Sequence, residues 1–560
     1  MATLYQISKS FCLFKRFICV SIIGVFFNFI FNNILIAHEN DVLYTLSFDE
    51  KNVFTLNISL DFTGHETGST EILLPRKFEQ IIHSKDWIKD LKCYVDEKEI
   101  SLSFDENSFI LEHSPGAKMH CTYKLQHDDD LLCKTGTCSL NRNFITPFFS
   151  KDALLVQGLP IFVVPKFPKY NVRFKYNFPK NRIFYNNISK SQEVEFYDLK
   201  NSALVIIDKN LKKDLGQYSI ISINGSLPEN LDLLELTDKI FSVTKEYFLP
   251  KMNSEKLNMV FINNIMQTNS VNPIEGHYSK NNIFLKFNST FHKNDFVRML
   301  FRQISRMFLE NWVKNVSEDN KNKWFFEGFS KYLANNLALK IDLTEEEYIN
   351  NYNALLKQYY LLGSLNQISN KKIDSKYWNN EIFRNIVSTR GEIIAHELHD
   401  IITMHSNKQF ELGDLIRNIF APHQNIILSS QEIAQILSKF IYKITLKDYN
   451  NFLTKAICQG QFEQHANSVL QKFHLKYIKS KAVHYGFDVV NTFVHGKIMG
   501  IEKSSPAYQK GLRNFQKILS YSYDGETNMK ISVMDKNNHI CSVDFIPNKK
   551  DINIPQYVLK

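Results

Sequence analysis

The sequence predicts a multidomain α+β protein with an N-terminal β-sandwich-like domain, a central mainly helical domain and a C-terminal β domain. Apolar residues alternate with polar ones over residues 41–225, recur every three to four positions over about 294–460, and alternate again from about 470. The length of 560 residues suits about three domains of roughly 100–200 residues. With 44% hydrophobic residues, 19 glycines and 14 prolines, disordered and collagen-like classes are excluded.

The changes in hydrophobic periodicity, together with the N-terminal apolar run, divide the chain into four segments. We assign residues 1–37 to a signal peptide or membrane anchor, 38–228 to the β domain, 229–466 to the helical domain and 467–560 to the C-terminal domain. The helical period is clearest in one stripe with a spacing of four: Phe296, Leu300, Ile304, Phe308 and Trp312.

Residues 17–37 indicate export. They form an apolar run that follows the basic pair Lys15 and Arg16 and ends at the small residue Ala37. This is typical of a cleaved signal peptide, and an uncleaved anchor is the alternative. We therefore expect the chain in the periplasm or cell envelope of a bacterium, or secreted. Membrane contact is expected only through this segment, if it is not cleaved.

Cysteine usage agrees with export. Of the six cysteines that follow the signal segment, four lie within residues 93–138, namely Cys93, Cys121, Cys133 and Cys138. This clustering suits one or two disulfides in an oxidising compartment, and unpaired buried thiols are the alternative.

The charge balance argues against a nucleic-acid partner. The formal charge is +9, and residues 1–37 contribute three of these charges without any acid, which leaves +6. No arginine-rich stripe or basic patch interleaved with aromatic residues is present in the sequence, so we expect no binding to nucleic acid.

One short motif carries most of the functional signal. Residues 324–332 read WFFEGFSKY and match Trp-x-x-Glu-Gly-Phe-x-x-Tyr through Trp324, Glu327, Gly328, Phe329 and Tyr332. This motif resembles the second zinc-binding helix of thermolysin-like peptidases, the gluzincins. In those enzymes its glutamate is the third zinc ligand and a preceding helix carries His-Glu-x-x-His.

Two further segments extend the resemblance to nearly all of the exported chain. Residues 386–418 are similar to later helices of the same enzymes, and residues 496–512, GKIMGIEKSSPAYQKGL, resemble part of a bacterial PDZ domain. A β domain, a gluzincin-type domain and a PDZ domain in this order resemble the glycyl-aminopeptidase-like zinc metallopeptidases. The resemblance implies a thermolysin-like fold for the centre and a PDZ-like fold for the end.

The sequence departs from this family at the positions that carry the chemistry. The two zinc histidines and the general base fall at Arg302, Arg306 and Gln303, and the catalytic tyrosine falls at Ser388 or Thr389. A guanidinium stays protonated and has no lone pair for a metal, and a glutamine cannot take a proton from water. Zinc is the cofactor of the parent family, but we expect none here.

The two arginines allow two interpretations. Either they pair with Glu327 and fill the former metal site, or together they capture an anionic group such as a peptide carboxylate. By resemblance, the old substrate cleft is expected to include Trp324, Glu327, Tyr332 and Arg390.

A weak alternative metal site lies further along the chain. His396 and His399 flank Glu397 but are three residues apart rather than four, so the segment only imitates His-Glu-x-x-His. A polar helix face is the alternative interpretation of these residues.

The PDZ-like segment suggests where a peptide would bind. Tyr485, Gly486, Phe487 and Asp488 stand where a carboxylate-binding loop would present backbone N–H groups to a peptide C-terminus. The leading hypothesis is therefore an exported, catalytically inactive aminopeptidase relative that binds a peptide or protein segment. An active metal-dependent peptidase with a rearranged site, or a structural protein of the cell envelope, are the alternatives.

Overall fold

The structure, a computed structural model, describes residues 40–560 apart from several gaps. The segments that are not described are 50–51, 75–87, 103–107, 127–147, 150–152, 158–160, 168–169, 179, 187–191, 195–202, 217, 224–232, 249–256, 264–273, 280–281, 288–290, 314–321, 375–376, 378–380, 421–427, 463–464, 471 and 524–527. The predicted export segment 17–37 and the cysteines Cys133 and Cys138 therefore lie outside the described residues.

The described chain divides into two compact units, one within the residues up to Ile207 and one comprising Asp208–Lys560. The first unit is made of strands, as predicted. They are β1 (Asn40–Asp49), β2 (Asn52–Thr63), β3 (Ser69–Leu73), β4 (Ile88–Val95), β5 (Lys98–Ile100), β6 (Ser108–Glu112), β7 (Lys118–Gln126), β8 (Phe148–Phe149), β9 (Ala153–Gln157), β10 (Val164–Pro165), β11 (Tyr170–Asn177), β12 (Arg182–Asn186), β13 (Gln192–Val194) and β14 (Ala203–Asp208).

The largest sheet of this unit has the order β13-β11-β1-β2-β7-β4-β5. Alternation explains its core, because Val42, Tyr44 and Leu46 on β1 are fully buried and the residues between them are not. Two smaller sheets have the orders β10-β3-β6 and β12-β14-β9-β8.

A disulfide joins two neighbouring strands of the large sheet. Cys93 on β4 and Cys121 on β7 are directly opposite in the register, and both are fully buried. Among the described cysteines, Cys458 and Cys541 are exposed thiols. The structure thus favours the disulfide interpretation for one pair.

Alkylation followed by mass spectrometry checks this pairing. Under non-reducing denaturing conditions, Cys458 and Cys541 should be labelled, and Cys93 and Cys121 should become reactive only after reduction. Labelling of Cys93 and Cys121 without reductant would contradict the disulfide.

The second unit begins with a sheet of order β15-β16-β17-β19-β18. Its strands are β15 (Lys212–Asp214), β16 (Tyr218–Ile223), β17 (Leu257–Asn263), β18 (Ile274–Ser279) and β19 (Asn282–Phe287). Because β16 pairs in parallel with β17, residues 208–223 belong to this unit, and not to the β domain that the sequence analysis extended to 228. The residues of β16, YSIISI, also look like a strand, so the sequence pattern carried no sign of the boundary.

Helices then follow one another as predicted. They are α1 (Leu233–Phe248), α2 (Lys293–Trp312), a π-helix (Trp324–Phe329), α3 (Ser330–Ala338), α4 (Glu345–Leu361), α5 (Asn370–Asp374), α6 (Glu381–His405), α7 (Leu412–Phe420), α8 (Ser430–Thr445) and α9 (Asn450–Gln459). The apolar stripe of α2 is buried through Phe296, Leu300, Ile304 and Phe308. No helix of the described chain is long and apolar enough to cross a membrane.

The π-helix and α6 cross at two glycines. A Cβ atom built on Gly391 would lie 1.8 Å from the carbonyl oxygen of Trp324, and one built on Gly328 would lie 2.3 Å from the carbonyl carbon of Gly391. Both glycines are therefore required by the close approach of two backbones, and no larger side chain fits at either position.

This contact gives a stability prediction with a control one turn away. Gly391→Ala should lower the free energy of unfolding by about 1–3 kcal/mol or more, because the collision is with backbone. Ser388→Ala on the same helix should be neutral or stabilising, because the buried Ser388 hydroxyl has no hydrogen-bond partner. Urea unfolding of both variants tests this. Equal unfolding midpoints for Gly391→Ala and the unmodified protein would contradict the crossing.

The chain ends in two three-stranded sheets, β20-β21-β25 and β22-β23-β24. Their elements are β20 (Ser468–Val469), β21 (Phe473–His484), α10 (Val489–His495), α11 (Pro506–Gln509), β22 (Lys517–Tyr523), β23 (Met529–Met534), β24 (Ile540–Phe545) and β25 (Asn548–Leu559). Asn353 of α4 exchanges two hydrogen bonds with the backbone of Tyr557, at 2.8 and 2.7 Å. The predicted C-terminal domain is thus β-rich and clusters with the helices in one unit.

Candidate functional site

The candidate site lies where α2 faces the π-helix. Arg302 and Arg306 are one helical turn apart on α2, on the side away from its buried apolar stripe. Glu327 projects from the π-helix, whose aromatic residues Trp324, Phe325, Phe326 and Phe329 are all fully buried. These rings fix the wide helical turn, and the turn aims one carboxylate at the two arginines.

The three side chains form a closed ion-pair cluster. Arg302 Nη2 donates to Glu327 Oε2 at 3.0 Å, and Arg306 Nη1 lies 2.7 Å from Glu327 Oε1. Each carboxylate oxygen therefore takes one guanidinium. Glu327 is 7% exposed, so water competes little for these contacts.

Arg306 has two further partners that the sequence analysis did not identify. Its Nε donates to Glu310 Oε1 at 3.0 Å, and its guanidinium lies over the ring of Tyr278 at 5.3 Å from the centroid. The spacing of four between Arg306 and Glu310 on one helix was the available signal for the first contact. No sequence pattern predicts that Tyr278 on β18 lies next to α2.

The electrostatics of the cluster favour the charged forms of Glu327 and Arg306. Burial acts to raise the pKa of Glu327, but Arg306 and then Arg302 outweigh it, and the pKa is lowered well below its usual range. Burial acts to lower the pKa of Arg306, and the neighbouring Glu327 and Glu310 more than reverse this. Burial, with Arg302 beside it, lowers the pKa of Lys331.

A zinc ion does not fit this set of donors. Glu327 is the residue expected at the third zinc-ligand position, and both of its oxygens are engaged by guanidinium groups that cannot coordinate a metal. Gln303, expected at the general-base position, is buried, and its Nε2 donates to Met299 Sδ at 3.3 Å. Ser388, one of the two residues expected at the catalytic tyrosine position, has a buried hydroxyl without a hydrogen-bond partner.

His396 and His399 on α6 are both engaged by buried tyrosines. His396 Nδ1 lies 3.0 Å from the hydroxyl of Tyr348, and its ring stacks on Tyr352 at 3.9 Å between centroids. His399 Nδ1 lies 2.5 Å from the hydroxyl of Tyr332. Burial lowers the pKa of His396 well below its usual range and that of His399 to about 4, so both rings are neutral.

Glu397, between these histidines, accepts a hydrogen bond from the hydroxyl of Tyr352 at 3.1 Å and has two further partners. Its Oε1 lies 2.6 Å from His465 Nδ1, and its Oε2 accepts the backbone N–H of Ala466 at 2.6 Å. Among the described residues, no three His, Cys, Asp or Glu side chains are grouped so that they could hold a metal ion.

Three residues expected to line a cleft are instead in the core. Trp324, Tyr332 and Arg390 are each 0% exposed, so none of them presents surface to a ligand in this structure. Arg390 donates to Asn370 Oδ1 at 2.5 Å and to the carbonyls of Asn366 at 2.6 Å and Ile368 at 2.8 Å. Backbone carbonyl oxygens and an asparagine side chain thus satisfy this guanidinium, a role that a sequence motif does not reveal.

The predicted peptide-binding loop is also engaged internally. Tyr485 and Phe487 are buried, Gly486 has a positive φ of 78°, and the backbone N–H of Asp488 donates to the carbonyl of Met499 at 2.8 Å. The Asp488 side chain caps α10, so a helix, and not a strand, follows the loop. Within the described residues, no edge strand therefore follows this loop directly for a peptide to join.

Comparison with solved structures identifies the fold. The chain is similar to an aminopeptidase N family protein from Idiomarina loihiensis, with a TM-score of 0.64 and 13% identity over 93% of this chain and 98% of that one. The fold is that of an aminopeptidase N family protein. An M1 zinc metallopeptidase from Deinococcus radiodurans matches with a TM-score of 0.47 and 12% identity over 76% of this chain and 96% of that one. Neither a protein-family model nor a curated protein matches the sequence.

The ion-pair cluster predicts a large effect of one neutral substitution. Glu327→Gln should lower the free energy of unfolding by about 2–4 kcal/mol at pH 7, because it leaves two largely buried arginines facing each other. Glu310→Gln is the matched control and should cost less than about 1 kcal/mol, because Arg306 keeps Glu327. Urea unfolding measures both values. Equal losses would show that Glu327 does not hold the cluster together.

The contribution of Glu327 to stability is predicted to depend on pH. Because the folded-state pKa of Glu327 is lowered, its contribution is fully present above the unfolded value of about 4.3 and is lost as the pH falls toward the folded value. The stability difference between the unmodified protein and Glu327→Gln should therefore be widest near pH 7 and shrink below about pH 4. A difference that stays constant from pH 7 to pH 3 would contradict the lowered pKa.

Proposed function

We propose that this chain is an exported, catalytically inactive relative of zinc aminopeptidases that acts by binding a peptide or protein segment. One observation carries the loss of activity: Glu327, the only family-equivalent ligand left, is engaged on both oxygens by Arg302 and Arg306. The site therefore lacks the neutral donors that zinc needs and the base that would activate water.

Retention of the scaffold supports a binding role rather than decay of the protein. The motif from Trp324 to Tyr332 is fully buried apart from Glu327 and Lys331, and the two-glycine crossing behind it leaves no space for substitution. The cluster keeps three charged side chains, although well-packed apolar side chains of similar volume often give a protein equal or greater stability. Export through residues 17–37 and a PDZ-like identity of residues 467–560 are parts of this proposal.

Restoring the missing ligands tests the inactive assignment. The variant Arg302→His with Gln303→Glu and Arg306→His should bind one zinc per chain, because Glu327 then faces two imidazoles in the family's arrangement. Arg302→Gln with Arg306→Gln is the control, since it removes the same charges without supplying ligands. Zinc content after gel filtration and circular dichroism are measured together. No zinc in a folded triple variant would contradict the assigned positions.

The first alternative is a metal-dependent peptidase that uses His396, His399 and Glu397. A specific observation favours testing it, since His396 Nε2 is buried and has no hydrogen-bond partner. Chelator-sensitive cleavage of fluorogenic peptides by the unmodified protein, abolished by His396→Ala, would replace the proposal with this alternative.

The second alternative is a structural protein of the cell envelope that acts through the N-terminal unit. It predicts that partner binding depends on surface substitutions in the sheet that contains β1, β2 and β7. If substitutions within residues 467–560 alone abolish binding, this alternative is excluded.

A further inference from the structure

The positive charge of the chain is concentrated in its last segment. Residues 467–560 contain 14 Lys and Arg against seven Asp and Glu, a formal charge of +7 out of +9 for the whole chain. The export segment carries +3, so the 429 residues between them are close to neutral. A charge localised in this way points to a partner of opposite sign at the C-terminal sheets.

Five of these lysines lie on the antiparallel ribbon formed by β21 and β25. They are Lys476, Lys479, Lys481, Lys549 and Lys550, all exposed. None of the five makes an ion pair with another described residue. Asp551, opposite Lys481, is the single acid on this part of the ribbon.

The same ribbon has an open edge. Residues 473–484 of β21 pair with β25 along their whole length, whereas β20 pairs with β21 only at Phe473 and His474. Beyond that point no other described strand pairs with β21. Residues 476–479, KYIK, are all exposed, and Tyr477 and Ile478 are 58% and 48% exposed despite being large and apolar. Unpaired backbone groups on such an edge accept an added strand.

We propose that the open edge of β21 over residues 476–481 binds an extended, acidic segment of another protein by strand addition. Backbone hydrogen bonds give the affinity, Tyr477 and Ile478 cover apolar side chains of the added strand, and the lysines select acidic residues. A second copy of this edge would be repelled by the same lysines, which excludes self-pairing. Nucleic acid offers no strand of N–H and C=O groups, so the open edge favours a polypeptide.

This surface is separate from the loop at Tyr485–Asp488 and from the Arg302–Glu327–Arg306 cluster. The inference names a partner class for the proposed binding function. Its test uses no metal and no peptidase assay, so its failure leaves the assignment of an inactive site untouched.

The experiment measures fluorescence anisotropy of a labelled ten-residue peptide that alternates Glu with Val or Thr, titrated with the full-length protein. Binding should be saturable, and it should weaken by about tenfold or more with Lys476→Glu and Lys479→Glu together. The control variant is Lys503→Glu with Lys536→Glu, two exposed lysines away from the ribbon, which should bind as the unmodified protein does.

Three further probes decide the mode of binding. A peptide with the same charges but N-methylated at alternate residues should not bind, because it cannot donate the backbone hydrogen bonds to β21. A peptide with Lys in place of Glu should not bind either. Unchanged binding of the N-methylated peptide would overturn strand addition. Tighter binding of a single-stranded oligonucleotide or of anionic lipid vesicles, lost in the same lysine variant, would replace the acidic segment with those partners.

Discussion

The charge balance around Glu327 is the constraint on which the centre of this molecule depends. A carboxylate that is 7% exposed must be neutralised locally, and here two guanidinium groups on the facing helix do this, one on each oxygen. A metal would do the same in a zinc peptidase, where neutral imidazoles replace the arginines. The cluster is therefore held together by charge neutralisation among its own side chains.

The surrounding structure is arranged to hold that geometry. Buried aromatic rings fix the π-helix that carries Glu327, and the crossing of Gly328 with Gly391 brings α6 directly behind it. Three polar side chains of α6 have partners on other elements. His396 and His399 are hydrogen-bonded to tyrosines of neighbouring helices, and Glu397 contacts His465. These three residues resemble a catalytic motif in sequence. In the structure they connect α6 to neighbouring helices and to the segment that leads to the C-terminal sheets.

Much of the fold could be predicted from periodicity, and part of the site from spacing. The alternating and helical patterns correctly gave a β-rich start, a helical centre and a β-rich end, and Arg302 and Arg306 could be placed on one helix face because they are four residues apart. The burial of Arg390 could not be predicted, since the carbonyls that it contacts come from two distant segments, residues 366–368 and Ile457. The boundary before β16 was also invisible, because parallel pairing with β17 leaves no local mark in the sequence. The net charge of the whole chain likewise did not reveal that most of the net positive charge lies in the last 94 residues.

Metal analysis of the unmodified protein tests the central claim most directly. Native mass spectrometry of the protein expressed and purified with zinc in excess should give the mass of the bare polypeptide, because Arg302 and Arg306 occupy both oxygens of Glu327. One tightly bound zinc per chain, lost on mutation of Glu327, would contradict the account.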